Sequence, residues 1–506
     1  VGLKLTRRQR FTVIGASLVA LFLGALDALI ISAAMPSVVA DLGGLHLYSW
    51  VYSAYFLSRA VSLPIVGKMA DLYKNRNLFM VAVGTFLASS TAAGCAWSMT
   101  ALIIARVIQG IGAGAIFALV YTVLADISAP ENRGRTLSLA SFTWGLASVL
   151  GPTLGGIIVS YFSWRWIFFI NIPLGIACLW GIGAHLEEVR TKTKEVSLDL
   201  WGAASLTTTV LAFLFLLMTG GRNSPWLSPG MIALALLSVT GLIAFILVER
   251  RTKDPILSIG FFKKRSFTTG NGAIFLSSFT IFSLFAFAPL FIQGAQLRSP
   301  MQVGMAMLSL SLGWSMGSVA LGQVIDRVGR KFCAVAGAVC LIMGCAMTLA
   351  FTAESTMIFI FCSFFIVGVG MGFVALATLL VVQSGLDQRD LGVATSSNQF
   401  ARTLGGAVGV GVCGGLVANR FSDLTKMVRD AGIVDGLSII KGENSLGEIG
   451  QLFNPAVQAA MPANLKQIVQ ETVTRGVGDV FWTVTISATL CLLICLLLPS
   501  GRCFKG

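Results

Sequence analysis

The sequence predicts an all-α polytopic membrane protein with fourteen spans arranged as two related halves. Three observations carry this. First, of 506 residues 56% are hydrophobic and only 11% charged, with mean hydropathy +0.84, too little polar surface for a soluble chain of this length. Second, apolar runs of about 20 residues, the length that crosses a bilayer, recur along the whole chain. Third, one loop occurs twice. Gly67-Lys68-Met69-Ala70-Asp71 leads into Lys74 and Arg76, and Gly322-Gln323-Val324-Ile325-Asp326 leads into Arg327-Val328-Gly329-Arg330-Lys331. Each copy sits where one apolar stretch ends and another begins, and two-half membrane proteins are commonly transporters.

Hydropathy places the helices near 12–34, 48–69, 78–98, 101–126, 136–161, 166–186, 199–219, 230–249, 267–292, 303–325, 332–351, 356–383, 391–418 and 480–499. The first follows the basic run Lys4 to Arg10 and resembles a signal peptide. It lacks a small-residue cleavage site and contains Asp27, so it reads as a retained helix. Residues 420–478 form a polar stretch on the side away from the termini. Within it Pro462-Ala463-Asn464 precedes Leu465, Ile468, Val469 and Val473, so the spacing predicts a short amphipathic helix in an extracellular loop, with an unstructured loop as the alternative.

Charge then sorts by side. The short loops on one side carry only Arg165, Arg222 and Arg298, whereas the alternate loops carry Lys74, Arg76, Arg133, Arg135, the cluster from Arg250 to Arg265, and Arg327, Arg330 and Lys331. Basic short loops face the cytoplasm, so both termini are expected there in a multi-pass protein of the plasma membrane. The net charge of +14 is therefore a topology signal and not the footprint of nucleic-acid binding. Cysteines such as Cys95, Cys178, Cys340, Cys362, Cys413 and Cys491 lie within apolar runs and read as packing residues. His46 and His185 fall on opposite sides and cannot share a metal, and no Walker-type loop is present. Neither a cofactor nor an enzymatic activity is expected.

Charges within a span are costly and mark function or pairing. Asp27 is the only acid well inside one, and Arg59, Arg106 and Arg402 are the only bases. With helix 1 ending near residue 33, Asp27 and Arg106 both lie roughly 9 Å below the outer surface, and Arg59 roughly 15 Å. Depth thus permits either an Asp27–Arg106 or an Asp27–Arg59 pair. A carboxyl in a low-dielectric cavity favours its protonated form, and a nearby arginine favours the ionised one. Alternating exposure would let Asp27 take up and release a proton; the competing reading is a static buried ion pair. Arg402 has no acid near it in sequence. It contacts backbone carbonyls, holds an anionic ligand or serves structure, and these readings stay open.

Helix 5 reads Gly145-x5-Gly151-Pro152-x2-Gly155-Gly156, a string of close-approach residues around a bend. Aromatic and polar residues expected to face a central cavity are Tyr55, Gln109, Phe142, Trp144, Phe285, Gln293, Asn398 and Gln399. Such walls suit amphipathic molecules.

These residues resemble the major facilitator superfamily, specifically its fourteen-helix drug:proton antiporters. The doubled loop is similar to the superfamily's gating loop, with Gly67, Asp71 and Arg76 in one copy and Gly322, Asp326, Arg327, Gly329 and Arg330 in the other. Arg106-Val107-Ile108-Gln109-Gly110 resembles the Arg-x-x-Gln-Gly motif of proton coupling, and Gly145 to Gly156 the antiporter motif. Leu26 to Pro36 and Trp164 to Pro173 resemble segments of the fourteen-helix branch. The resemblance implies two six-helix bundles around a cavity, with a helix pair between them. The divisions are 1–190, 191–252 and 253–506. It also raises Asp27–Arg106 above Asp27–Arg59, and implies that Asp71 and Asp326 make charged contacts when the inside is closed. Two departures stand out. Lys74-Asn75 occupies the place of the usual Gly-Arg, and Arg59 replaces a usually neutral residue, which favours an anionic or zwitterionic ligand.

The expected function is proton-coupled antiport exporting drugs or other amphipathic small molecules, with protons, the substrate and the bilayer as partners and a monomer as the unit. A carrier for a physiological solute such as a lipid, siderophore or amino acid is the second reading. A membrane receptor or scaffold without transport is the third, disfavoured by the gating loops and Asp27.

Overall fold

The computed structural model describes residues 6–127, 133–186, 199–220, 227–252, 259–386, 391–430 and 463–499. Among them run fourteen helices: α1 (Arg7–Leu42), α2 (Tyr48–Leu72), α3 (Asn75–Gly94), α4 (Met99–Asp126), α5 (Arg133–Tyr161), α6 (Asn171–His185, preceded by the single turn Trp166–Phe169), α7 (Leu200–Thr219), α8 (Pro229–Arg251), α9 (Arg265–Leu290), α10 (Pro300–Val328), α11 (Arg330–Thr348), α12 (Met357–Ser384), α13 (Leu391–Asp430) and α14 (Ala463–Leu496). Twelve spans are long and apolar enough to cross a membrane. The other two helices, α2 and α7, are the Ser- and Tyr-rich segment and one whose apolar part is only Trp201–Leu217. The ends of α1 and α10 follow local chemistry. Thr6 and Gln9 form a capping box at one, Ser299 and Gln302 at the other, with Pro300 at the first helical turn.

Three boundaries differ from those read in the sequence. Helix α1 continues through the buried Pro36 to Leu42 instead of stopping near 34. Proline is tolerated in a membrane helix because neighbouring helices and local adjustments accommodate its missing hydrogen bond. Asp27 consequently sits roughly 22 Å from the end of its helix, deeper than expected. Helix α13 extends to Asp430. The amphipathic segment after Pro462 is not separate: it is the first part of α14, one helix from Ala463 to Leu496. Val469, Val473, Val477 and Val480 are buried in one helical register, which keeps the segment in line with its span. The remainder of the polar stretch, 431–462, lies outside the described residues.

The first six helices and the last six form the two bundles, and the pair α7–α8 lies against their seam. Trp50 of α2 meets Phe215 of α7 edge-on at 4.7 Å, and a Cβ on Gly415 of α13 would lie 3.5 Å from the Leu217 carbonyl oxygen. Helix α8 packs on α7, with Ser238 donating to the Thr209 carbonyl at 3.4 Å.

Call the end holding Arg7, Lys74 and Arg330 the basic end. Hydrogen bonds join the bundles from mid-span toward the opposite end. The Tyr48 hydroxyl donates to the Ala286 carbonyl, Ser53 donates to the Ala407 carbonyl at 3.3 Å, and Ser148 and Ser315 hydroxyls meet at 3.2 Å. Helices α5 and α10 touch backbone to backbone there: a Cβ on Gly156 would be 3.0 Å from the Pro300 carbonyl oxygen, and one on Gly304 only 2.7 Å from that of Pro152. At the basic end, Gly67 and Gly322 face open space.

Candidate functional site

The site begins with one buried carboxylate. Asp27 on α1 is 1% exposed. Its Oδ2 accepts from Arg106 Nη1 at 2.5 Å, and its Oδ1 accepts from Gln109 Nε2 at 2.8 Å and Asn171 Nδ2 at 3.3 Å. Arg106 and Gln109 reach it together because residues three apart share a helix face on α4, and Arg106 Nη1 also donates to Gln109 Oε1 at 2.8 Å. Asn171 is steadied by donating to Ser90 Oγ at 3.0 Å, and Ser90 donates to the Phe168 carbonyl at 2.9 Å. The Arg106 guanidinium lies 3.9 Å over the Tyr55 ring, whose hydroxyl donates to the Gly24 carbonyl at 3.1 Å. Five helices, α1, α2, α3, α4 and α6, thus hold one ion pair in a dry place, where charge-assisted hydrogen bonds are strong and a lone charge is expensive.

Of the two pairings open at the level of depth, the structure forms Asp27–Arg106. Arg59 turns elsewhere: its guanidinium carbon lies 3.9 Å over the Phe117 ring and 5.7 Å from that of Trp144. Arg402 comes from the other bundle to the same tryptophan, 4.7 Å from Trp144 and 4.7 Å from Trp314. A chain of rings crosses the seam here, from Phe56 to Phe282 at 4.7 Å, on to Trp314 and to Trp144, then Phe117 at 5.6 Å.

The expected cavity residues separate into groups. Gln109 and Tyr55 are fully buried and belong to the Asp27 network. Trp144 stands in the aromatic chain between the arginines. Phe285 is buried beside Phe282, with ring centroids 6.5 Å apart. Asn398 is buried one turn from Arg402 on α13, its Nδ2 without a hydrogen-bond partner, and Gln399 is half-buried beside it. Gln293 is buried in a π turn, Phe291–Ala295, that follows α9. Phe142 is 69% exposed and joins none of these. Asn171, Ser90, Phe117 and Trp314 were not singled out from sequence. The Asn171-Ile172-Pro173 run was the available signal for the first; the others look like ordinary apolar or small residues.

The glycine motif of α5 has a geometric reason. Added Cβ atoms at Gly151 and Gly155 would lie 3.2 Å from Leu29 Cβ and 2.5 Å from the Ile30 carbonyl oxygen, so both glycines seat α5 on α1, while Gly145 and Gly156 face α10 across the seam. Pro152 sits between them inside the helix. The two copies of the repeated loop differ in backbone. Gly329 takes φ 97°, a conformation that favours glycine, whereas Lys74 at the equivalent place takes φ −64°, open to any residue. Arg330 donates to the Leu380 carbonyl at 3.3 Å. The side chains of Asp71 and Asp326 lie outside the described residues, so their expected contacts do too.

Residues 17–410 match the family model of the Major Facilitator Superfamily. The chain is 31% identical over 489 residues to the multidrug transporter protein MdtP of Bacillus subtilis, covering 94% of this chain and 90% of that one. It is 29% identical over 496 residues to multidrug resistance protein 3 of the same bacterium, covering 97% and 96%. A solved bacterial homologue of the human lysosomal transporter Spinster, inward-facing and occupied, shares the fold with TM-score 0.66 at 13% identity, covering 97% of each chain. Sequence, helix number and glycine packing agree: the chain belongs to the Major Facilitator Superfamily, as a multi-pass membrane transporter of the fourteen-helix form.

Proposed function

We propose that the protein is a proton-coupled antiporter that exports drugs or other amphipathic small molecules by alternating access, with Asp27 as proton carrier and Arg106 as its coupling partner. The observation that carries this is the Asp27–Arg106 pair, 1% exposed on both sides and surrounded by neutral donors. A proton on Asp27 would release Arg106 from its only charged partner there, and loss of the proton would restore the pair. Rearrangement of the network is thereby tied to protonation. The names of the bacterial relatives support multidrug substrates.

In this reading the basic end is cytoplasmic, with both termini there in the plasma membrane. The seam is closed on the outer side, and transport rocks one bundle against the other as a monomer. Residues 1–190 and 253–506 are the moving units, with 191–252 between them. Gly67, Asp71 and Arg76, with Gly322, Asp326, Arg327, Gly329 and Arg330, form the inner gate.

Proteoliposomes with an imposed pH gradient and a panel of amphipathic dyes test this. Gradient-driven dye movement is expected from the wild type and none from Asp27→Asn at equal incorporation. Full movement by that variant would remove Asp27 from the mechanism.

A further inference from the structure

The Asp27 network leaves two arginines unused, the buried Arg59 and the half-buried Arg402. Arg59 is on α2 and Arg402 on α13, so one comes from each bundle. Both converge on Trp144, at 5.7 Å and 4.7 Å from guanidinium carbon to ring centroid. Phe117 covers Arg59, and Trp314 backs Arg402. Among the described residues no carboxylate forms an ion pair with either arginine. Asp27, the acid buried in α1, has both oxygens engaged by Arg106, Gln109 and Asn171. Arg59 is 3% exposed and its Nε has no hydrogen-bond partner. The nearer polar neighbours are the Tyr55 and Tyr121 phenols, with Asn398 and its unpartnered Nδ2; Asp27 is also within Coulombic reach of Arg59 but is paired with Arg106.

Two like charges in a desolvated place need compensation that aromatic faces supply only in part. Arginine keeps its charge in such surroundings and presents a planar fork that fits an oxyanion. The location suits a ligand that joins the bundles. Arg59 and Arg402 lie six and five residues nearer the basic end than the Ser53–Ala407 contact that joins their two helices.

We propose that Arg59 and Arg402 together bind the anionic group of an aromatic organic acid, a carboxylate or sulfonate on a flat apolar body, with Trp144 and Trp314 against that body. With the site empty the two guanidiniums repel and oppose closer approach of the bundles. An anion between them reverses the sign, so cargo binding draws the halves together. This deepens the antiporter reading and rests on it for calling the ligand a substrate.

The test is binding to the purified full-length chain in detergent by titration calorimetry, with no proton gradient. Its failure therefore leaves the gradient-driven assay to judge antiport separately. The probes are 2-naphthoate and its cationic counterpart 2-naphthylmethylammonium. Naphthoate is expected to bind at least about tenfold tighter than the cation, and Arg402→Gln and Arg59→Gln each to weaken naphthoate about tenfold or more, the loss of one charged hydrogen-bonding partner. Arg402→Lys keeps the charge without the fork and should recover part of that loss. Equal binding of the two wild-type probes overturns the proposal, as does unchanged naphthoate affinity in both glutamine variants. Direct binding of dihexanoyl phosphatidylglycerol with no naphthoate binding overturns the assignment to an organic acid. If a glutamine variant does not fold, the wild-type preference between probes and the lysine variant still decide.

Discussion

Arg106 Nη1 lies 2.5 Å from Asp27 Oδ2 with both side chains 1% exposed, so the buried acid of α1 is answered by one of the three arginines that the sequence offered it. Breaking such a pair from one side leaves an uncompensated buried charge, whereas removing both charges need not destabilise. Arg106→Leu is expected to cost about 3–5 kcal/mol of stability. Adding Asp27→Asn to it should recover most of the loss. Thermal midpoints of the wild type and the two variants in one detergent check this, and a double variant less stable than the single one contradicts it.

Asn171 supplies the donor from α6 to Asp27 Oδ1 at 3.3 Å and is itself oriented by Ser90. Asn171→Ala removes a hydrogen bond to a charged group, an interaction of about 1.5–3 kcal/mol. The fold should survive, since the ion pair and Gln109 remain. Gradient-driven transport should fall about tenfold or more. Wild-type rates in reconstituted vesicles would place Asn171 outside coupling.

The Gly156–Gly304 contact is where α5 and α10 approach most closely at the end opposite the basic loops. A Cβ on Gly304 would stand 2.7 Å from a backbone oxygen that cannot swing aside, so even Gly304→Ala must move a helix. Gly304→Leu is expected to prop the bundles apart and stop transport, with a destabilisation of about 1–3 kcal/mol from overpacking. Gly84→Ala on α3, at a position with nothing within 4 Å, is the matched control and should transport normally. Comparing initial rates and thermal midpoints of the two variants tests the contrast.

Lys74 and Gly329 hold equivalent places in the repeated loop with φ −64° and 97°. Gly329→Ala should lose about 1–2 kcal/mol, since a side chain is strained in that region. Lys74→Gly should cost under about 1 kcal/mol, through chain entropy alone. Equal losses in chemical denaturation would mean that the two loops share a backbone after all.

Legibility in the sequence followed the range of the forces involved. Helix positions were readable because an apolar run must satisfy its own backbone hydrogen bonds in a bilayer, which is a local requirement. Ends were less so. Pro36 and the break in hydrophobicity after residue 418 read as stops, yet α1 continues to Leu42 with Val38 and Val39 fully buried, and α13 continues to Asp430. The loop departure at Lys74 was visible as a residue difference, but its meaning came only from the backbone angle.

The sequence by itself determined the membrane class, the doubled architecture and the short inventory of intramembrane charge: Asp27 with Arg59, Arg106 and Arg402. Tertiary structure alone decided the pairing. Arg106 and Arg59 both stood within plausible depth of Asp27, and the choice turned on helix faces, with Gln109 beside Arg106 on the face of α4 that meets α1 and Asn171 arriving from α6. It also brought Arg59 and Arg402, 343 positions apart in the chain (402 minus 59), onto the same tryptophan at the seam. Electrostatic energy depends on distance and desolvation, and neither is a property of a residue's place in the chain.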